Sequence, residues 1–138
     1  MKKILLLINI IILSSFVAAN DYEDYPIRND YPIIVSEQGV NHQKAKDLVY
    51  SIPEHHFRYV DVIEFVTTPI KIQDTEVLEF AKYKVLWNKN HYCYEAKITL
   101  WNTFSDKVIE HELGHIYEHC ELKKDISTEE FANEFVIK

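Results

Sequence analysis

One segment, residues 104–121, restricts the fold of this chain more than any other. With about 100° between successive residues of an α-helix, it carries an apolar stripe and, about a third of a turn away, a polar stripe. The apolar stripe consists of Ile109, Leu113, Ile116 and Cys120, and the polar stripe of His111, Glu112, His115 and His119. The pattern predicts an amphipathic helix with one face in the core and the other lining a cleft.

The segments around this helix predict the rest of the fold. Apolar residues with helical spacing indicate a helix over 41–57, and 61–68 is a candidate strand. Residues 77–87 fit either a strand or a helix, whereas polar and apolar residues alternate over 92–101, the strongest strand candidate. A last helix is expected over about 128–137. This order predicts a small α+β domain, with an N-terminal helix and a short mixed or antiparallel sheet before the last two helices.

Length and composition exclude several classes of protein. A chain of 138 residues has room for about one domain. Its hydrophobic fraction of 47% excludes a wholly disordered chain. The formal net charge is −7, and no run of Lys or Arg exceeds two residues, so we expect no nucleic-acid partner.

The N-terminal residues 1–19 have the layout of a secretory signal peptide. They have a short basic start, a mostly apolar stretch over 4–12 and small residues before a cut after Ala19. The alternative is an uncleaved membrane anchor, but the apolar stretch is shorter than the roughly 20 residues that a spanning helix needs. We therefore expect a secreted or periplasmic protein without a stable membrane span. Residues 20–32 are then an extended, acidic and Tyr-rich leader, and 33–138 are the domain.

Residues 111–115 read His-Glu-Leu-Gly-His, which matches the H-E-x-x-H zinc motif. Residues four apart lie on the same face of a helix, so the imidazoles of His111 and His115 can reach one metal ion. Glu112 projects beside the open position of the metal, where it can take a proton from zinc-bound water and pass it to a leaving group. The alternative is a helix with solvated histidines and no metal.

A catalytic zinc usually has three protein ligands, so a third must come from elsewhere in the chain. Ser127 and Glu130 are spaced as a capping box at the start of the last helix. That box would occupy Glu130 and leave Glu129 free in the first turn. Asn133 is four residues after Glu129 on the same face, and we expect it to hydrogen-bond a liganding histidine.

These motifs together resemble those of gluzincin metallopeptidases, most closely the ImmA/IrrE-type family and related very small gluzincins. The resemblance covers residues 105–136, where the zinc motif is followed by the pattern Glu129, Ala132, Asn133 and Phe135. It implies a zincin-like domain in which the ligands of a Zn²⁺ ion are His111, His115 and Glu129. It also implies that Glu112 is the general base.

Other assignments around the site stay open. Glu121 stands ten residues after His111, where metzincins have a third ligand, and is an alternative to Glu129. His119 matches a further histidine that is common in the resembling family, and we expect it to support a ligand or line the cleft rather than bind the metal. Tyr94 is one of several candidates for stabilising an oxyanion.

The resemblance also implies the activity. It places the strand over 92–101 at the border of the cleft, with an extended peptide paired to the edge of that strand. We therefore expect an exported zinc metallopeptidase that hydrolyses peptides or proteins by Glu112-assisted attack of a zinc-bound water. The alternative is a secreted binding or inhibitor-like module with a structural or vestigial zinc site.

The two cysteines, Cys93 and Cys120, leave their pairing open. Export to an oxidising compartment favours a disulfide between strand and helix. However, Cys93 lies on the polar side of its strand's alternation, whereas Cys120 lies on the apolar stripe of its helix.

Overall fold

A mixed four-stranded sheet forms the centre of the fold. The structure is a computed structural model and describes residues 30–72, 78–90 and 92–135. Side by side, its strands are β1 (Ile33–Ser36), β2 (Val62–Val66), β6 (Cys93–Trp101) and β5 (Ala81–Trp87). β1, β2 and β6 run parallel, and β5 is antiparallel to β6. Two short strands, β3 (Ile70–Lys71) and β4 (Leu78–Glu79), form a separate antiparallel pair.

The described part of the chain contains three α-helices: α1 (His42–Ser51), α2 (Asp106–Cys120) and α3 (Glu129–Glu134). α1 begins where the side chain of Asn41 accepts a hydrogen bond from the backbone N–H of Lys44 at 3.1 Å. It ends two residues before Pro53, and a separate 3₁₀ turn follows over Glu54–Phe57. The helix expected over 41–57 is therefore two elements.

The prediction of a small α+β domain is confirmed. In the ambiguous segment 77–87, residue 77 lies outside the described residues, and the rest contains the strands β4 and β5 rather than a helix. The strand expected over 92–101 and the helix expected over 104–121 are β6 and α2. The helix expected over 128–137 is α3, which ends at Glu134; residues 136 and 137 lie outside the described residues.

The hydrophobic core lies between one face of the sheet and the helices α1 and α2. Its buried side chains include Ile63, Phe65, Ile98 and Leu100 of the sheet, Ala45 and Val49 of α1, and Ile109, Leu113, Ile116 and Cys120 of α2. The whole apolar stripe predicted for α2 is therefore buried. The opposite face of the sheet is mixed: it carries exposed apolar side chains such as Ile33 and Val35, and an ion pair between Lys97 and Glu64 with 3.0 Å between nitrogen and oxygen.

Cys93 and Cys120 form a disulfide that joins β6 to the C-terminal end of α2. The register between β5 and β6 shifts between Leu86 and Trp87, so that Trp87 pairs with Cys93 and Tyr94 is the extra residue of a β-bulge. A bulge reverses the alternation of side chains beyond it, which turns Cys93 toward α2. The expectation that Cys93 lies on the polar face is wrong because it assumed an unbroken alternation.

The predicted signal peptide over 1–19, and the leader up to residue 29, lie outside the described residues. The last residues of the expected leader contact the domain: Pro32 is buried, and the hydroxyl of Tyr31 donates a hydrogen bond to the carbonyl of Ile52 at 2.8 Å. Among the residues that the structure describes, no helix has the length and apolar character needed to cross a membrane.

Candidate metal centre

α2 brings the two histidines of the zinc motif together. The Nε2 atoms of His111 and His115 lie 3.2 Å apart, on adjacent turns of the helix. His115 is buried, and a quarter of the His111 side chain is exposed. The two rings are nearly perpendicular, at 82°, so that their nitrogens converge on one point at the surface of α2.

α3 adds a carboxylate to this point. Glu129 is the first residue of α3; its Oε2 lies 3.0 Å from His111 Nε2, and its Oε1 lies 3.1 Å from His115 Nε2. Its side chain is three-quarters exposed, so the cluster opens to solvent on the α3 side. Among the described residues, these three form the one group of His, Cys, Asp or Glu whose donor atoms are close enough for a metal ion.

The donor atoms of these three residues are close enough together to hold one metal ion. With metal–ligand bonds of about 2.0–2.2 Å, a tetrahedron has edges of roughly 3.3–3.6 Å. The two Nε2 atoms, 3.2 Å apart, are close to such an edge, whereas the carboxylate approaches His111 through Oε2 and His115 through Oε1. With one donor atom taken from each residue, the three atoms lie within 4.8 Å of one another. Two imidazole nitrogens and one carboxylate oxygen are also ligands that Zn²⁺ accepts, with a fourth position left over. The residues present therefore fit a zinc ion in their chemistry, and their donor atoms are close enough together to hold one ion.

The far side of the His115 ring is held by β5 and by the segment before α3. Its Nδ1 lies 2.5 Å from the hydroxyl oxygen of Ser127, and its ring stacks on Tyr83 with 4.8 Å between ring centres. Burial lowers the pKa of His115, and the neighbouring Glu129 only partly opposes this. A neutral His115 that donates from Nδ1 to Ser127 presents the lone pair of Nε2 to a cation.

Glu112, the residue after His111 in α2, is buried, with 7% of its surface exposed. Burial raises the pKa of its carboxyl from 4.5 to about 7, and the nearby carboxylates of Glu129 and Glu79 add to the effect. A carboxyl with a pKa near neutrality can both accept and return a proton at physiological pH.

The other residues singled out from the sequence lie in different places. The ring nitrogens of His119 contact the Tyr83 hydroxyl at 3.0 Å and the carbonyl of Lys124 at 2.8 Å, so both are engaged away from the three donors. Tyr94, at the bulge, and Asn133, on α3, are both exposed.

Glu121, the alternative third ligand, is directed to another part of the molecule. Its carboxylate accepts a hydrogen bond from the hydroxyl of Tyr59 and lies 3.9 Å from the guanidinium of Arg58. Because α2 ends at Cys120, Glu121 does not turn back to the histidines. The structure thus brings Glu129 to the histidines and leaves Glu121 outside the cluster.

The capping box expected from Ser127 and Glu130 is wrong. Thr128 is the N-cap of α3, and its side chain accepts a hydrogen bond from the backbone N–H of Phe131 at 3.2 Å. This shift by one residue frees Ser127 for its contact with His115. The capping box was also expected to leave the Glu129 carboxylate in the first turn available as a metal ligand, and this carboxylate does lie beside the two histidines.

Tyr83, Glu118 and Ser127 also lie around the site, although the sequence patterns placed none of them there. Tyr83 lies on the same face of β5 as Ala81 and Val85, because residues two apart in a strand point the same way. This apolar face, between Lys82 and Lys84, was the signal for the side toward α2. Glu118 lies seven residues after His111, so helical spacing puts it on the same face as the two histidines.

Gly114 allows α3 to approach α2 closely. A Cβ atom at this position would lie 2.9 Å from the Cβ of Phe135 and 3.0 Å from the Cα of Ala132. Both distances are too short for carbon atoms in contact. The glycine within the zinc motif therefore lets the two helices pack closely enough for Glu129 to reach the histidines.

The expected role of 92–101 as an open edge is wrong. β6 is flanked by β2 over Lys97–Trp101 and by β5 on its other side, so it is an inner strand of the sheet. Among the described strands, β5 is the outer one on the side of the cluster, and its Tyr83 contacts His115.

Comparison with protein-family models, with curated proteins and with solved structures finds no match to this chain.

Proposed function

We propose that this chain is a zinc-dependent metallopeptidase that hydrolyses peptide bonds in peptides or proteins. The observation that carries the proposal is the convergence of His111, His115 and Glu129 next to the buried Glu112: the two Nε2 atoms lie 3.2 Å apart, and a carboxylate oxygen of Glu129 lies 3.0–3.1 Å from each of them. This is the arrangement of a catalytic zinc site, which has three protein ligands and one open position. The similarity of the two motifs to those of gluzincins supports the same assignment.

Each residue has a definite role in this proposal. His111, His115 and Glu129 hold the ion. Bound Zn²⁺ supplies a Lewis acid for the scissile carbonyl and makes a water molecule easier to deprotonate. Glu112 accepts the proton of the attacking water and then donates it to the departing amine, for which a pKa near 7 is well suited.

The outer edge of β5 is the proposed binding surface for an extended substrate. The carbonyl of Phe80 accepts a hydrogen bond from Trp101 of β6, so alternation directs the backbone groups of Ala81, Tyr83 and Val85 to the open side. Because Tyr83 stacks on His115, a peptide paired with this edge lies alongside the metal ligands.

Export through residues 1–19 is part of the proposal. The disulfide between Cys93 and Cys120 is of a kind that persists in secreted and periplasmic proteins and is rare in the cytosol. It agrees with export, although it carries no information about the substrate.

The alternative is a secreted binding or inhibitor-like module with a structural or vestigial zinc. Structural zinc sites are usually closed by a fourth protein ligand. In the described part of the chain the cluster has three such residues, which favours the catalytic interpretation.

Metal analysis of the purified mature protein, combined with digestion of a peptide library, tests the proposal. We expect about one zinc per chain and cleavage that a chelator stops and added Zn²⁺ restores. The Glu112→Gln protein serves as the control against a contaminating protease, since it should keep its zinc and lose the cleavage. A protein that binds zinc tightly and cleaves no peptide would favour the structural alternative.

A further inference from the structure

Glu118 is the most deeply buried charged side chain of α2, with 1% of its surface exposed. Its Oε1 accepts a hydrogen bond from the backbone N–H of Thr128 at 2.7 Å, and its Oε2 lies 3.3 Å from Nζ of Lys124. The hydroxyl of Ser127, the residue before Thr128, is close enough to this carboxylate to lower its pKa. One side chain of α2 thus holds three residues of the connection between α2 and α3.

Two of these contacts lead directly to metal ligands. Ser127 contacts the Nδ1 atom of His115 at 2.5 Å, so the orientation of the His115 ring depends on where Ser127 is held. Thr128 is the N-cap of α3, and the next residue is Glu129. The position of Thr128 therefore determines where α3 begins and where its first carboxylate points.

The charge of Glu118 is stabilised where it is buried. Burial by itself raises the pKa of a carboxyl, but the hydrogen bonds from Thr128, Lys124 and Ser127 outweigh it, so the pKa of Glu118 is lower than usual. A buried ionised carboxylate is weak evidence for a role in stability alone, because apolar residues of similar size often stabilise a core equally well. Its contacts instead point toward the metal site.

We infer that Glu118 is a positioning residue that, through Ser127 and Thr128, holds His115 and Glu129 in the geometry that binds zinc. The inference rests on the zinc site of the proposed function and adds to it a residue that contacts neither the metal nor the substrate. Residues that hydrogen-bond metal ligands commonly tune metal affinity in this way. Here one carboxylate acts on ligands from two different helices.

The test compares Zn²⁺ affinities of metal-free variants by competition with a chelator. Glu118→Gln keeps the shape of the side chain but removes the charge, and Glu110→Gln is the matched control, a carboxylate on the same helix that pairs with His56. We expect Zn²⁺ affinity to fall about 10- to 100-fold in Glu118→Gln and to stay at the wild-type value in Glu110→Gln. Near-ultraviolet circular dichroism and denaturant unfolding, both without metal, show whether each variant is folded.

A second readout separates positioning from general destabilisation. The visible spectrum of the Co²⁺-loaded protein reports coordination geometry, and we expect it to change in Glu118→Gln and to be unchanged in Glu110→Gln. If Glu118→Gln does not fold, the Zn²⁺ affinity of Ser127→Ala serves as the test instead. This variant removes the contact between the Ser127 hydroxyl and His115 and leaves the buried carboxylate of Glu118 intact. We expect it to weaken Zn²⁺ binding as well.

Wild-type Zn²⁺ affinity in a folded Glu118→Gln, or in Ser127→Ala where Glu118→Gln does not fold, would overturn the inference. This outcome is distinct from failure of the proposed function. A wild-type protein that binds zinc but cleaves no peptide would reject the peptidase and leave the positioning role intact. A wild-type protein that cleaves peptides while Glu118→Gln binds zinc normally would reject the positioning role alone.

Discussion

Glu129 Oε2 lies 3.0 Å from His111 Nε2, although the two residues belong to helices joined by the irregular segment 121–128. Glu129 also contacts His115, whereas Glu121 and Glu130 lie outside the cluster. We therefore expect Glu129→Ala to lower Zn²⁺ affinity by more than about 100-fold, beyond the range typical of residues that only support a ligand. Chelator competition measures it, with Glu130→Ala and Glu121→Ala as controls. A larger loss in Glu121→Ala would contradict the ligand assignment.

Glu112→Gln should abolish hydrolysis without loss of metal. An amide cannot accept the proton of the attacking water, and general-base catalysis typically contributes about 10²- to 10⁴-fold to a rate. We expect the cleavage rate to fall by about that factor while zinc content stays near one per chain, as measured by metal analysis and a peptide assay on the same sample. Undiminished cleavage would remove Glu112 from the mechanism.

Gly114→Ala should separate α3 from α2. Alanine usually stabilises a helix by about 0.5–1 kcal/mol relative to glycine. Here its Cβ would meet Phe135 and Ala132 at 2.9 and 3.0 Å, and overpacking of this kind costs about 1–3 kcal/mol. We therefore expect a net loss of stability in denaturant unfolding, together with weaker Zn²⁺ binding. A more stable variant with unchanged affinity would show that the close approach of the helices is not required.

Removal of the disulfide should destabilise the fold substantially. Cys93 and Cys120 are separated by 27 positions, and the chain-entropy model for a loop of that size gives about 3.5 kcal/mol. We expect the Cys93→Ser, Cys120→Ser double variant to lose about this much free energy of unfolding in urea. Reduction of the wild type should have a similar effect, and the same reductant should leave the double variant unchanged. Equal stability of oxidised wild type and double variant would contradict the prediction.

The metal-free protein should lose stability as the pH rises toward 7 because of Glu112. In the folded state its carboxyl has a pKa of about 7, above the usual 4.5, so the folded protein holds this proton when the unfolded chain has released it. Below about pH 4.5, Glu112 does not change the free energy of unfolding. Between the two pKa values it lowers this free energy increasingly, and above pH 7 the full loss is about 3 kcal/mol.

Denaturant unfolding of metal-free wild type and Glu112→Gln at pH 5 and pH 8 measures this effect. Because the amide does not titrate, the variant should gain stability relative to the wild type at the higher pH. A difference between the two proteins that is the same at both pH values would mean that Glu112 is not buried as described. Glu118 acts in the opposite direction, since its lowered pKa stabilises the fold at neutral pH and this contribution is lost in acid.

Patterns within one element were sufficient to predict much of the fold. The two faces of α2 depend only on the pitch of a helix, so its buried stripe and the convergence of His111 and His115 followed from spacing. The strand β1 (Ile33–Ser36) received no prediction, because four residues between turns are too short to show a period. Its place beside β2 comes from parallel pairing with a strand about thirty positions away.

The sequence by itself determined that α2 presents two imidazoles and a neighbouring carboxyl on one side, because the 3.6 residues per turn of an α-helix fix which residues share a helix face. Only the tertiary structure decided that Glu129 and not Glu121 completes the cluster, that a bulge brings Cys93 to Cys120, and that Glu118 holds the connection between the helices. Each of these depends on where one element ends and how closely another packs, and such distances are set by contacts between distant segments rather than by local periodicity.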